Sequence, residues 1–461
     1  MVFARWMLAA VVGGSSVARA VEPPAPCAPG KASELLSEGR KVQREKGEGG
    51  AAEAVKLYEQ TLAADPGCAA ALWEMGWSKQ LLGDYDGNLA AWDRLKKLAP
   101  DYPELDSSYT AAAKRREDSR ALASLPDPGK LPKREEKPAE GEGLTFAAVG
   151  DVHMGMAWPE DRPRLPPNGA ADLFESVTDS LKAADVVFGN LETALADGGE
   201  SKKCGKKSTK CFAFRVPTAY AGALKAAGFT VMSIANNHAG DFGPEGRAST
   251  MAALDKHAIL HSGPVGDVAS WEVKGKKLAL VAFSTGADVY RVQELDTARR
   301  VVAALKKKHD LVLVSFHGGA EGAGAERTAK GVEMFLGENR GDVRRFARVV
   351  IDAGADLVLG HGPHVLRGLE RYKGRLILYS MGNFSSWETF GLAGTKGITG
   401  IFKVTLAPNG VVTALRVEPL VIEEPGRPRP DPSKQALEQL RKLSKEDFGD
   451  ALLDEAGAWK R

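Results

Sequence analysis

The chain has 461 residues, of which 62 are basic and 60 acidic, 43% are hydrophobic and 7% aromatic. That length and mixed composition fit a globular protein with a substantial core and more than one domain. The near-balance of charge excludes a nucleic-acid or polyanion surface spread over the whole chain, so an anionic substrate has to be met by local groups.

Residues 1–20, MVFARWMLAAVVGGSSVARA, place Arg5 ahead of a short apolar run and end on Ala18-Arg19-Ala20, which reads as a secretory signal with the mature chain starting near Val21. The run is short and interrupted by Gly and Ser, so an uncleaved anchor is the alternative. No later stretch reads as a transmembrane span, and export implies a periplasmic or extracellular protein. Cys27 follows Ala25-Pro26 and lacks the context of a lipid-bearing cysteine. Of the four cysteines, Cys204 and Cys211 bracket the basic loop GKKSTK, a spacing compatible with a local disulfide worth about 2.5 kcal/mol or with two free thiols.

Residues 31–123 are rich in Ala, Leu, Glu and Lys at helical spacing, and they repeat. Gly49, Ala54, Tyr58 and Pro66 recur 34 positions later as Gly83, Asn88, Trp92 and Pro100. This period resembles the tetratricopeptide helix-turn-helix unit, as do Trp73, Gly76, Gly83, Tyr85 and Pro100, whereas Asn88 stands where a small apolar residue is usual. An ordinary helical bundle is the alternative. Two repeats and a trailing helix suit an adaptor for a protein partner better than a long peptide-binding solenoid.

Residues 124–143, with PDPGKLPKREEKPAEGEG, offer Pro, Gly and charge with almost nothing to bury and read as a linker. From 144 to 423 short apolar runs (LTFAAV, ADVVF, FTVMSIA, LALVAFS, DLVLVSF, ADLVL, RLILYS) alternate with amphipathic helices, which predicts an α/β domain. GIFKVTL and VTALRV follow without helices between them, so part of the sheet is antiparallel. Over 424–461, PGRPRPDPSK reads as a loop and Lys434 to Arg461 as a terminal helix.

The chemistry collects directly after the strands. LTFAAV leads into Asp151 and His153, ADVVF into Asn190 and Glu192, FTVMSIA into Asn236-Asn237-His238, DLVLVSF into His317 and Glu321, and ADLVL into the turn Gly360-His361-Gly362-Pro363-His364. Five of eight histidines lie in these segments; His257, His261 and His309 do not. Singly, an Asp-x-His or an Asn-His pair is common. Together they offer carboxylate, amide and imidazole donors for two adjacent divalent ions, which can activate water and polarise the group it attacks. A closed structural zinc site fits less well, because the chain lacks cysteine clusters.

In order, GDVHMG, GNLETAL, ANNHAGDFGPEG, SFHGGAE and GHGPHVLRGLERYKGRLILYSMGNF resemble the CapA family of poly-gamma-glutamate capsule synthesis, within the calcineurin-like metallophosphatase superfamily. The likeness covers roughly Leu144 to Pro419. It implies a four-layer fold of two mixed sheets flanked by helices, with a dinuclear divalent metal centre at the strand ends, of Mn, Fe or Zn. By the same resemblance the metal ligands are Asp151, His153, Glu192, Asn237, His317, His361 and His364, with His238 as general acid. Asp241, Glu321 and Asn190 are the groups expected to orient ligands. Two departures stand out: Glu192 replaces a bridging Asp, and His361 and His364 form H-x-x-H where phosphatases have H-x-H.

The expected function is that of an exported metal-dependent hydrolase-type protein acting on an anionic cell-envelope or capsule polymer, by phosphoester or amide cleavage. The alternatives are a non-catalytic capsule component that binds such a polymer and docks a synthase or transporter, and a structural protein with an empty inherited site. Nucleic acid is not an expected partner.

Overall fold

The computed structural model describes residues 27–46, 50–201, 203, 212–286, 288–389 and 391–460. The segment read as a secretory signal and the Cys204–Cys211 pair lie outside them. The chain divides into two compact units, Met1–Ser124 with Leu336–Asn339, and Leu125–Phe335 with Arg340–Arg461.

The first unit is helical: α1 (Lys31–Lys46), α2 (Ala51–Ala64), α3 (Ala69–Leu81), α4 (Tyr85–Leu98) and α5 (Leu105–Ala123). Each helix packs on the next in sequence. Asp84 caps α4 by accepting from the Gly87 amide at 2.8 Å, and Gly83 before it takes the left-handed φ of 75° that ends α3. Tyr58 on α2 and Trp92 on α4 are fully buried. Each lies on a glycine of the preceding helix, since a Cβ on Gly39 or Gly76 would come within 2.5 Å of Tyr58 or 2.1 Å of Trp92. Tyr58 and Trp92 stand at the expected offset of 34, which is consistent with the repeats, while the two glycines are 37 apart. Asn88 is accommodated because its Nδ2 donates to the Gly76 carbonyl at 2.9 Å. Cys27 and Cys68 form a disulfide that the sequence alone did not suggest, closing a separation of 41 residues. The adjacent Asp65 accepts from the Ala28 amide at 2.7 Å.

The second unit holds two mixed sheets. The chain first lays down β1 (Leu144–His153), β2 (Val186–Leu191), β3 (Val231–Ser233) and β4 (Leu260–Ser262). It then crosses to a second sheet with β5 (Ala269–Val273), β6 (Lys276–Ser284), β7 (Leu311–His317), β8 (Leu357–His361), β9 (Leu369–Tyr372) and β10 (Arg375–Leu378). It returns to the first with β11 (Asn383–Ser386), β12 (Ile398–Leu406), β13 (Val412–Glu423) and β14 (Arg427–Pro430). The first sheet runs β14-β13-β12-β1-β2-β3-β4 with β11 also on β1, and the second runs β9-β10-β8-β7-β6-β5. Strands β1 to β4 are parallel, as are β6, β7, β8 and β10, while the pairs made by β5, β9, β12, β13 and β14 are antiparallel.

Alternation along the strands sorts side chains into layers. Leu144, Phe146 and Ala148 of β1 meet Leu278, Leu280, Leu311, Leu313, Leu357 and Leu359 in one core between the sheets. Ala147 and Val149 face the other way, with Val187, Met232 and side chains of α6 (Thr178–Lys182), α7 (Ala221–Ala227) and α8 (Gly243–Lys256). On the far side of the second sheet, alongside α9 (Leu295–Lys306), Phe346 of α10 (Val343–Ala353) meets Phe283 and Phe316 edge-on, with centroids 5.0 and 5.6 Å away. Helix, sheet, sheet and helix are therefore stacked in four layers.

Three features differ from the sequence expectation. The segment read as a linker has no helix or strand, yet from Leu125 it groups with the second unit. Arg134 donates to the Ile351 carbonyl at 3.2 Å, to the Ala355 carbonyl and to the buried Asp356 carboxylate. Arg299 and Arg300 hold Asp127 and the Leu125 carbonyl at 2.8 and 2.7 Å. Polar bonds, rather than burial of apolar side chains, tie this segment down, which is why hydropathy missed it. Second, Arg427–Pro430, expected in a loop, is a strand, and its prolines are tolerated because it is the sheet edge. Third, the terminal helix, α11 (Gln435–Phe448), stops at Gly449, whose φ is 87°, and residues 450–460 are not helical.

Candidate metal centre

Parallel neighbours end on the same edge, so the residues that follow β1, β2, β3, β7 and β8 are brought together. In register, Asp151 faces Asn190 on one side and Asn383 on the other, and His317 faces His361 across the second sheet. Close approach of the β1 end to the Met381-Gly382 turn needs a glycine at 150: a Cβ there would sit 2.0 Å from the Gly382 carbonyl, to which the Asp151 amide donates at 2.9 Å.

Two buried carboxylates organise the site. Asp151 Oδ1 lies 3.0 Å from His361 Nδ1 and accepts from Asn190 Nδ2 at 2.9 Å, while its Oδ2 lies 3.1 Å from His364 Nδ1. Glu192 Oε1 is 3.0 Å from His317 Nε2 and 3.8 Å from His364 Nε2, and its Oε2 is 3.3 Å from His153 Nε2. Asp151, Glu192, His317 and His364 thus offer ligand atoms all within 4.8 Å of one another, a group that can hold a metal ion. Glu321 stands at the rim, its Oε1 paired with the buried Arg340 at 2.7 Å and its Oε2 4.0 Å from His364 Nε2.

These charges set one another's protonation. Burial and the neighbouring Glu192 push the Asp151 carboxyl up, but hydrogen bonds from His361 and His364 outweigh them and hold it below the usual range. Burial likewise raises Glu192, and the charges of His317 and His364 overcome it and hold it well below. Burial alone would lower His364, yet Glu192 and Asp151 lift it to about 10.

His238 forms a second group beside the carboxylates. Its Nδ1 lies 2.7 Å from Asp241 Oδ2, which also accepts from the Phe214 amide at 2.9 Å. Lys203 Nζ reaches Asp241 Oδ1 at 2.6 Å, the Asn237 carbonyl at 3.0 Å and His238 Nδ1 at 3.2 Å. Burial lowers the His238 pKa; the Asp241 charge opposes this and the Lys203 charge adds to it. The Phe214 ring packs against His238 and His153, with centroids 4.4 and 4.8 Å away.

The donor atoms fit divalent ions. His361 Nε2, His317 Nδ1 and Asn237 Oδ1 are buried with no hydrogen-bond partner among the described residues. Buried polar atoms left so are costly and rare unless something absent from the protein chain satisfies them. Carboxylate, imidazole and amide donors together suit first-row divalent metals.

Comparison with known proteins adds the family. Residues 145–387 match the family described as bacterial capsule synthesis protein PGA_cap. The chain belongs to that family. It is 31% identical over 339 residues to the capsule biosynthesis protein CapA of Bacillus anthracis, covering 68% of this chain and 76% of that one. It is 28% identical over 273 residues to the PGA biosynthesis protein CapA of Bacillus subtilis, covering 56% and 67%. It is 30% identical over 295 residues to a probable polyglutamine synthesis accessory protein of Mycobacterium tuberculosis, covering 56% and 69%. A solved purple acid phosphatase from yellow lupin seeds aligns with a TM-score of 0.31 at 11% identity, over 62% of this chain and 52% of that one, a likeness too slight to argue from.

Within this PGA_cap chain, nearly all the predicted site residues gather at one strand edge. Asn237 is tied to neither carboxylate by a hydrogen bond among the described residues. It is Asn236 whose Nδ2 donates to Asn190 Oδ1 at 3.0 Å and to the Leu191 carbonyl at 2.9 Å. Sequence reasoning passed over Asn236, Lys203, Arg340 and Asn383. Asn236 and Asn383 stood within recognised motifs, whereas Lys203, just ahead of Cys204, carried no sign of its partner.

Proposed function

We propose that this PGA_cap protein is an exported, metal-dependent hydrolase-type protein acting on an anionic capsule or cell-envelope polymer. The observation that carries the reading is the buried pair Asp151 and Glu192 ringed by His153, His317, His361 and His364. Asp151, His153, Glu192, Asn237, His317, His361 and His364 would hold two divalent ions. When bound, such ions supply Lewis acidity and water activated at neutral pH.

The chain's own residues provide the rest. Glu192 directs its two oxygens to different imidazoles, which suits a carboxylate shared between two ions. His238, with Nδ1 committed to Asp241, has Nε2 turned to the site, and in its protonated form the ring would hand the Nε2 proton to the leaving group and return to the neutral Nδ1–H tautomer. Lys203 fixes Asp241, and Phe214 screens the ring from water. A phosphoester or a gamma-linked amide would be served by the same arrangement. The balanced overall charge leaves recognition of the polymer to groups at the site mouth, with no role for nucleic acid. Export is supported by the Cys27–Cys68 disulfide, since such bonds persist in oxidising compartments, and no helix among the described residues is long and apolar enough to cross a membrane. The helical repeats would dock a protein partner.

A second reading, a non-catalytic assembly component, draws on the accessory role in the name of the mycobacterial relatives. Metal content per purified chain, measured with turnover of a phosphodiester and of a gamma-linked glutamate oligomer, separates the two. The enzyme reading expects two metals and turnover. It further expects His238→Ala to keep the metals and lose roughly 10²- to 10⁴-fold in rate, while Asn237→Ala weakens the metal site itself. Metal-dependent polymer binding without turnover would establish the second reading, and a metal-free protein would defeat both.

A further inference from the structure

The grip that Asn383 has on His364 assigns it a role that the ligand set leaves open. Asn383 is fully buried at the start of β11, in register with Asp151. Its Nδ2 donates to the His364 carbonyl at 3.2 Å and to the Lys396 carbonyl at 3.1 Å, and its Oδ1 lies 3.0 Å from His364 Nδ1. With both amide hydrogens spent on carbonyls, the orientation of the amide is fixed, and an acceptor oxygen faces the ring. The other neighbour of that nitrogen, Asp151 Oδ2 at 3.1 Å, is also an acceptor. Nδ1 is therefore the nitrogen that carries a proton. Nε2, near Glu192 and Glu321, is the one whose proton an arriving cation would displace, freeing its lone pair to bind. The backbone of His364 has φ 57°, in the left-handed region, and the same asparagine clasps its carbonyl.

We propose that Asn383 is a positioning residue for the metal centre: it locks ring, tautomer and backbone of His364 so that Nε2 is the ligating atom. This rests on the metal reading above. A ligating histidine commonly gives its other N–H to such a partner, and losing that partner typically costs about 10- to 100-fold in metal affinity.

The test is a double-mutant cycle on the full chain, with Co²⁺ as probe, read by its visible absorption and by competition with a chelator. Asn383→Ala should weaken Co²⁺ binding by about 10- to 100-fold and alter the absorption band, with the circular dichroism spectrum unchanged. Added to His364→Ala, it should cost less than about twofold more, because its effect passes through that ring. Asn383→Ser, whose short hydroxyl cannot span to His364 Nδ1, carries the same cycle if the alanine variant fails to fold. Wild-type affinity in Asn383→Ala, or a full additive loss on top of His364→Ala, would overturn the assignment. A wild-type chain that takes up no Co²⁺ would instead defeat the metal reading, and this inference with it.

Discussion

Arg134 offers the sharpest test of how the second unit is built, because an ordinary linker residue could be replaced at no cost. Its side chain is 12% exposed and makes three contacts, to two carbonyls and to Asp356. Bonds from a charged donor contribute about 1.5 to 3 kcal/mol each when buried, but Asp356 keeps other partners after Arg134→Ala. Lys306 remains at 2.8 Å and the Val312 amide at 2.8 Å. Most of the Asp356 contribution is thereby retained, and the two carbonyl bonds plus the remainder come to about 3 kcal/mol. Ala355 and Asp356 lead directly into β8, which carries His361, so the loss should be felt there. Hydrogen exchange of peptides spanning residues 355–361 in the full chain should speed up roughly 100-fold, the equivalent of that energy for a local opening. Metal affinity of the closed state should hardly change. Exchange within twofold of wild type would refute the reasoning and return residues 125–143 to the status of a free tether.

Glu192→Ala should lower metal occupancy, read by elemental analysis per chain, more than Glu321→Ala or Asp241→Ala does, and equal occupancy in wild type and Glu192→Ala would remove Glu192 from the ligands. Replacing Cys27 and Cys68 by Ser should destabilise the helical unit by about 4 kcal/mol under oxidising conditions, from the loop that the bond closes; identical urea midpoints with and without reductant would contradict this. His261 bridges Asp267 at 2.9 Å and Asp255 at 3.3 Å. Burial lowers its pKa, but the bond and charge of Asp267 and the charge of Asp255 prevail, so the folded value lies above the unfolded one. The charged form is thus favoured by folding, and its stabilisation is complete below about pH 6.5 and fades as pH rises through the higher folded value. His261→Gln should therefore cost more at about pH 5.5 than at about pH 9, and a loss that is flat or larger in alkali would reverse the sign.

Much of this was legible in the sequence because periodicity and chemistry coincide. Every apolar run read as a strand became one, and Asp151, Glu192, His317, His361 and His364, which close or follow such runs, meet at the shared edge. Legibility failed where bonding was polar or distant. Nothing in PDPGKLPKREEKP signals that Arg134 will find a buried aspartate more than two hundred positions later. The pairing of Cys27 with Cys68 was hidden because the nearer pair, Cys204 and Cys211, had the more suggestive spacing. The choice between Asn236 and Asn237 depends on where the backbone turns after β3, which residue type cannot reveal. Arg427–Pro430 was misjudged because proline argues against a strand only when the strand is interior.

The route of the chain through its two sheets has a bearing on when the protein can be made whole. Strand β1 has β2 on one flank but on the other β12, whose Leu406 stands opposite Leu144. All of the second sheet is threaded between them. A nascent chain that has reached Ser262 owns only half of its first sheet, with the unpaired side of β1 exposed and Asp151 still lacking Asn383. Contacts of this range form slowly, whereas the helical unit relies on neighbours in sequence and can close early. Any metal bound by this edge is therefore acquired late, and a chain ending before β12 would complete the second sheet but leave β1, which carries Asp151 and His153, without its antiparallel neighbour.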